Sequence, residues 1–116
     1  MIFKGISREF SLLNEDQYNT IGAFWDEMTA IYGLENLHGL GYKWAENKIY
    51  YAIGLKCGEI PGCNFCIELP DSRWEAVEGK TDDLKEIYDE IYKSGPLKYE
   101  IEAFWESGDC YVKYYR

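Results

Sequence analysis

The side chains best suited to chemistry in this sequence are acids set inside alternating apolar stretches: Glu46, Glu68, Glu100 and Glu102. A carboxyl turned inward among aromatic neighbours is raised in pKa by burial. It can then attract a cation, act as a general base on water, or attack as a nucleophile. Glu68 is the first to consider, because alternation puts it on one face with Cys66, next to the apolar Leu69-Pro70. Glu100 and Glu102 share a face with each other, and two acids side by side read as a solvated pair. Lys113 is the reverse case: an inward ammonium would favour neutral or anionic ligands by repelling a second desolvated cation.

Around these charges stands an excess of rings, 4 Trp, 11 Tyr and 5 Phe. Trp25, Tyr42, Trp44, Tyr51, Trp74, Tyr99 and Trp105 are candidates for a ligand cage, with plain core packing as the alternative for each ring taken singly. Ring faces attract cations by about 0.5 to 2 kcal/mol each, and burying so many indole and phenol tips calls for partners or a wet cavity. Other chemistries fit less well. Cys63-Asn64-Phe65-Cys66 has metal or redox spacing with Cys57 six residues earlier. In a strand, though, residues three apart face opposite ways, and only a turn after Pro61-Gly62 would bring them together. His38, the single histidine, reads as a loop residue near Gly39 and Gly41, so no Ser-His-Asp set is available. Neither Gly-x-Gly-x-x-Gly nor a P-loop occurs. The sequence therefore calls for no metal and no nucleotide cofactor.

At 116 residues the chain is one domain's worth, of radius of gyration roughly 13 Å. Twenty-one acidic against 12 basic side chains give a net charge of −9, which repels phosphate backbones and anionic membrane surfaces and argues against direct nucleic-acid binding. No run approaches the ~20 apolar residues of a membrane span, and Lys4, Arg8 and Glu9 interrupt the start where a signal peptide would be apolar. A cytoplasmic protein with reduced thiols is expected.

The elements that would position these residues are legible as two periodicities. Tyr18, Ile21, Gly22, Trp25, Met28, Thr29 and Tyr32 recur at helical spacing over residues 15–32, with Asn14 as cap and Gly33 as stop. A second helix follows Thr81, buries Leu84, Ile87, Tyr88, Ile91 and Tyr92, and ends at Gly95-Pro96. Period-two runs predict strands at 2–8, 41–46, 49–55, 65–69, 73–78, 99–105 and 110–115. Short connections imply antiparallel pairing, hence an α+β fold with both helices on one face of the sheet and two halves that echo each other, each with one helix followed by two strands. The seam between two such halves is a natural place for a small-molecule pocket.

Several landmarks recur in a recognisable order. They are Phe24-Trp25 in the first helix, Gly41-Tyr42-Lys43-Trp44, the strand Tyr50-Tyr51-Ala52-Ile53-Gly54, Ile67-Glu68-Leu69-Pro70, Trp74-Glu75-Ala76-Val77-Glu78-Gly79 and Tyr99-Glu100. Together they resemble the GyrI-like family, the effector-binding domains of bacterial transcription activators, with its stand-alone and integron-cassette members. The resemblance spans nearly the whole chain. It implies a duplicated strand-helix-strand-strand fold with a central cleft that binds drug-like, often cationic and aromatic compounds; the expected partner is a second copy of the chain or a regulatory protein that supplies the DNA binding. Many members place a buried glutamate in the last strand; here that stretch reads Tyr111-Val112-Lys113-Tyr114-Tyr115-Arg116, and the acid's position falls on Val112 or Lys113. The expected function is reversible binding of an aromatic or amphipathic small molecule. The two alternatives are a hydrolase of strained or xenobiotic compounds using a pocket glutamate, and an acidic protein-interaction module with a filled core that presents residues 75–109 to a basic partner.

Overall fold

Alternating side chains produce strands β1 (Ile2–Ser11), β2 (Leu37–Tyr42), β3 (Lys48–Leu55), β4 (Phe65–Glu68), β5 (Glu75–Lys80), β6 (Tyr99–Phe104) and β7 (Asp109–Tyr115). The helical repeats produce α1 (Gln17–Tyr32) and α2 (Leu84–Tyr92). The computed structural model describes residues 1–116, and its seven strands form one antiparallel sheet in the order β4-β1-β3-β2-β6-β7-β5. The duplication is explicit in that order. The units β1-α1-β2-β3 and β5-α2-β6-β7 each lay their strands first, third, second from the outside in, and they meet where β2 pairs with β6. There Gly39 faces Glu102 and Gly41 faces Glu100.

Both helices cover the same face. Phe24, Trp25 and Met28 of α1 pack with Tyr51, Ile53, Phe104 and Cys110, while Tyr88 and Ile91 of α2 pack with Val112, which lies two residues from Cys110 on one side of β7. The opposite face has a cover of its own. β1 bends at Gly5, where its backbone closes on Gly54 so tightly that a Cβ at either position would overlap a carbonyl oxygen of the other strand. Beyond the bend, Phe3 and β4 lie across β2 and β3, with Phe3 stacked on His38 at 4.3 Å and Phe65 on Tyr42 at 4.6 Å between ring centroids. Gly5 and Gly54 are therefore required for close approach rather than for an unusual dihedral.

Several boundaries differ from the sequence reading. α1 starts at Gln17 after Asp16, with Asn14 in a left-handed conformation at φ 56° rather than capping the helix. β2 begins at Leu37, so His38 is a strand residue, and β5 runs two residues later than expected. His38 is pushed down to about 4, chiefly by burial, with the charges of Lys56 and Lys113 adding to it. The folded state thus holds His38 neutral, and its contribution to stability is present above about pH 6.5 and lost as pH falls from there towards 4. His38→Leu is expected to remove that loss. Melts between pH 7 and pH 5 would show wild type falling relative to the variant by at most about 1.4 kcal/mol per pH unit; parallel curves would refute it.

Candidate functional site

Between the two helices and the sheet lies a cavity of about 570 Å3, inside the range that holds drug-sized ligands. Its floor is β6. Alternation along that strand sends Glu100, Glu102 and Phe104 to the helix side, and each of the three is at least 93% buried. Room for the two acids comes from β2. A Cβ at Gly41 would stand 2.8 Å from Glu100 Oε1, and one at Gly39 would overlap the Tyr51 hydroxyl and come 2.9 Å from the Trp25 ring. With glycine at both places, the Tyr51 ring crosses over β2 from β3 and reaches Glu102 on the far side.

Glu102 is held by a set of donors drawn from three elements. The hydroxyl of Tyr51 donates to its Oε1, and Tyr88 of α2 donates to its Oε2 at 2.5 Å. Trp25 of α1 in turn donates its indole N–H to the Tyr51 oxygen at 2.9 Å, so the chain Trp25→Tyr51→Glu102 fixes the phenol's proton on the carboxylate side. Glu100 is less well supplied: Tyr92 donates to its Oε2 at 3.1 Å, and its Oε1 accepts no hydrogen bond.

These environments separate the two acids. Burial raises Glu102, and the hydrogen bonds from Tyr51, Tyr88 and Trp25 oppose that rise. Burial raises Glu100 well above the ordinary carboxylate range, the neighbouring Glu102 adds to it, and only Tyr92 works the other way. Of the two, Glu100 therefore holds its proton the more firmly, and Glu102 is the first to take up charge. Tyr51 and Tyr88 stay neutral donors, since burial and the adjacent carboxyls hold both phenols well above their usual range.

The remaining wall explains why α1 carries so broad a stripe of mixed residues. Tyr18, Ile21, Gly22, Trp25 and Thr29 face the cavity, whereas Phe24 and Met28 enter the core. Across from them are Trp44, Leu84, Tyr88, Tyr92 and Trp105. Nothing lies within 4 Å of a Cβ built at Gly22, so this glycine is open space on the wall. Among the 23 lining residues are five acids, Asp26, Asp82, Glu100, Glu102 and Glu106, and no lysine, arginine or histidine.

Of the candidates read from the sequence, Trp25, Trp44, Tyr51 and Trp105 are brought together at this cavity. Tyr42, Tyr99 and Lys113 are not, and strand parity gives the reason. All three stand one residue out of phase with Gly41, Glu100 and Val112, so they point to the opposite face. There Tyr42 joins Phe3, Leu40 and Ala52 in a packed cluster, and Trp74 stacks between Tyr99 and Tyr115 with Lys113 Nζ 5.0 Å from its ring centre. Lys113 therefore sets no charge preference in the cavity. Glu68 is exposed on β4 at the sheet edge. Glu100 and Glu102, read as a solvated pair, are the buried centre of the site. Alternation showed that they share a face without showing which one; Phe104 on that same face was the available signal that it is covered.

No protein family, curated protein or solved structure matches the chain, so the geometry of this cavity is what its function must be argued from.

Proposed function

We propose that this protein binds lipophilic, aromatic cations reversibly in the cavity over β6. The observation that carries the reading is a buried carboxylate, Glu102, held by two tyrosine hydroxyls in an aromatic wall that contains no basic side chain. A cation entering such a site replaces its hydration by Glu102 and by ring faces, and its apolar body gains about 25 cal/mol per Å2 of area removed from water. The acid comes from β6, not from the last strand, so the charge role expected of that strand is filled from the neighbouring one. An acidic interaction module with a filled core would leave no such cavity.

The test is a pair of ions of one shape and opposite sign. Tetraphenylphosphonium is expected to quench tryptophan emission saturably, since Trp25, Trp44 and Trp105 line the cavity, while tetraphenylborate leaves it unchanged. Equal binding of the two ions, or binding of neither, would end the reading. A second reading, hydrolysis, is favoured by one observation: two buried carboxyls whose surroundings push their pKa values apart form an acid and a base.

A further inference from the structure

The acids of this cavity are not all in one place. Glu100 and Glu102 lie at its floor, while Asp26, Asp82 and Glu106 are exposed at its rim. The rim acids come from three separate elements: Asp26 follows Trp25 on α1, Asp82 precedes α2, and Glu106 follows β6. The N–H of Thr81 donates to the Gly108 carbonyl at 2.8 Å, which holds Asp82 against the β6–β7 turn that carries Glu106. None of the three is in an ion pair, although eight such pairs occur elsewhere on the molecule. Between floor and rim the wall is apolar, formed by Ile21, Leu84, Phe104 and Trp105. A second, independent sign of a missing partner is at the floor. Glu100 is 95% buried with Tyr92 as the one donor to its carboxyl, and the buried Oε1 of Gln17 on the wall has no donor at all.

From this arrangement we infer that the cavity selects elongated dications, seating one cationic end against Glu100 and Glu102 and the other among Asp26, Asp82 and Glu106. The inference rests on the cation-binding reading above and adds the second charge and the length of the ligand. β6 rises about 3.3 Å per residue, so Phe104 lies about 7 Å beyond Glu102 and Glu106 further still, which sets a spacer on the order of 10 Å. An apolar spacer of that length lies along Phe104 and Trp105. A shorter dication leaves one charge stranded against apolar wall, and a monocation leaves the rim carboxylates to water.

The experiment compares decyltrimethylammonium with decane-1,10-bis(trimethylammonium), by calorimetry at low salt, on wild type and on the combined variant Asp26→Asn, Asp82→Asn, Glu106→Gln. Wild type is expected to bind the dication at least about tenfold tighter than the monocation, although the monocation is the more apolar of the two. In the variant the two affinities converge to within about twofold, with the monocation's unchanged. The substituted side chains are exposed, so melting curves that overlay wild type accompany this result. Equal affinities in wild type, or a dication preference that survives in the variant, would overturn the inference and leave cation binding intact. Tetraphenylphosphonium binding with neither alkyl cation bound would also overturn it, whereas failure of all three cations would remove the underlying reading as well.

Discussion

Glu102→Gln is expected to lower the affinity for tetraphenylphosphonium about 100-fold while leaving the folded state as stable as wild type, or more stable, at pH 8. The loss follows from removing the carboxyl that is first of the pair to ionise, since truncating a buried charged partner typically costs about 2 to 5 kcal/mol in affinity. The stability half follows from the sign of the shift. Burial raises Glu102 in the folded state, so its contribution to stability is complete below the ordinary carboxylate value of 4.5 and is lost as pH rises through the raised one. Glutamine has nearly the same volume and no such charge to bury, so the variant's advantage grows with pH. Affinity in wild type runs the opposite way: protonating Glu102 removes the charge that attracts the cation, so binding weakens as pH falls through its raised value. Fluorescence titrations and melts at pH 6 and pH 8 read both halves. Undiminished affinity in the variant would place the cation elsewhere.

Gly39→Val is expected to destabilise the fold strongly from beneath the cavity, where Gly39 lies under the Tyr51 hydroxyl. Its first added carbon would overlap the Tyr51 hydroxyl and stand 2.6 Å from the phenol carbon that bears it, with Trp25 2.9 Å away on the other side. Both rings are buried, Tyr51 to 99%, and neither can swing out without breaking the bond to Glu102 or emptying part of the α1 core. Overpacking of this kind costs about 3 kcal/mol, and loss of the hydrogen bond to a charged group adds roughly 1.5 to 3 more. A fall in Tm of more than about 10 °C and loss of tetraphenylphosphonium binding are the expected results. Pairing it with Tyr51→Leu supplies the control, because the ring that is struck is then absent and the two changes should cost much less than their sum. Strict additivity would mean that Gly39 is required for some other reason.

How far the sequence led is clearest at these same residues. The two helices, the antiparallel strands and the echo of one helix followed by two strands in each half were readable because each follows from local periodicity and short connections. Trp25 and Tyr51 were readable as site residues because they are large, amphipathic and set in strongly patterned segments. Tyr42, Trp74 and Tyr99 have the same local character but join the cluster on the opposite face of the sheet, which the bend at Gly5 lets Phe3 and β4 cover. That bend depends on two glycines 49 positions apart, Gly5 and Gly54, which no local pattern connects. Glu100 and Glu102 were misjudged for a related reason. Their burial depends on Gly39 and Gly41 vacating the space beside them across the β2–β6 pair, a long-range complementarity between the smallest side chain and a charged one.

The pairing of β2 with β6 also divides labour between the two modules. One strand at the internal pseudo-twofold contributes emptiness and the other contributes acidity, so neither module builds the floor of the cavity alone. Two copies of the first joined the same way would enclose a furrow with nothing to hold a guest. Two copies of the second would set four carboxyls against one another with no space to relax. Each repeat completes the cavity only with its unlike twin, and symmetrising this chain by design would erase either the buried acid pair or the space beside it while preserving its topology.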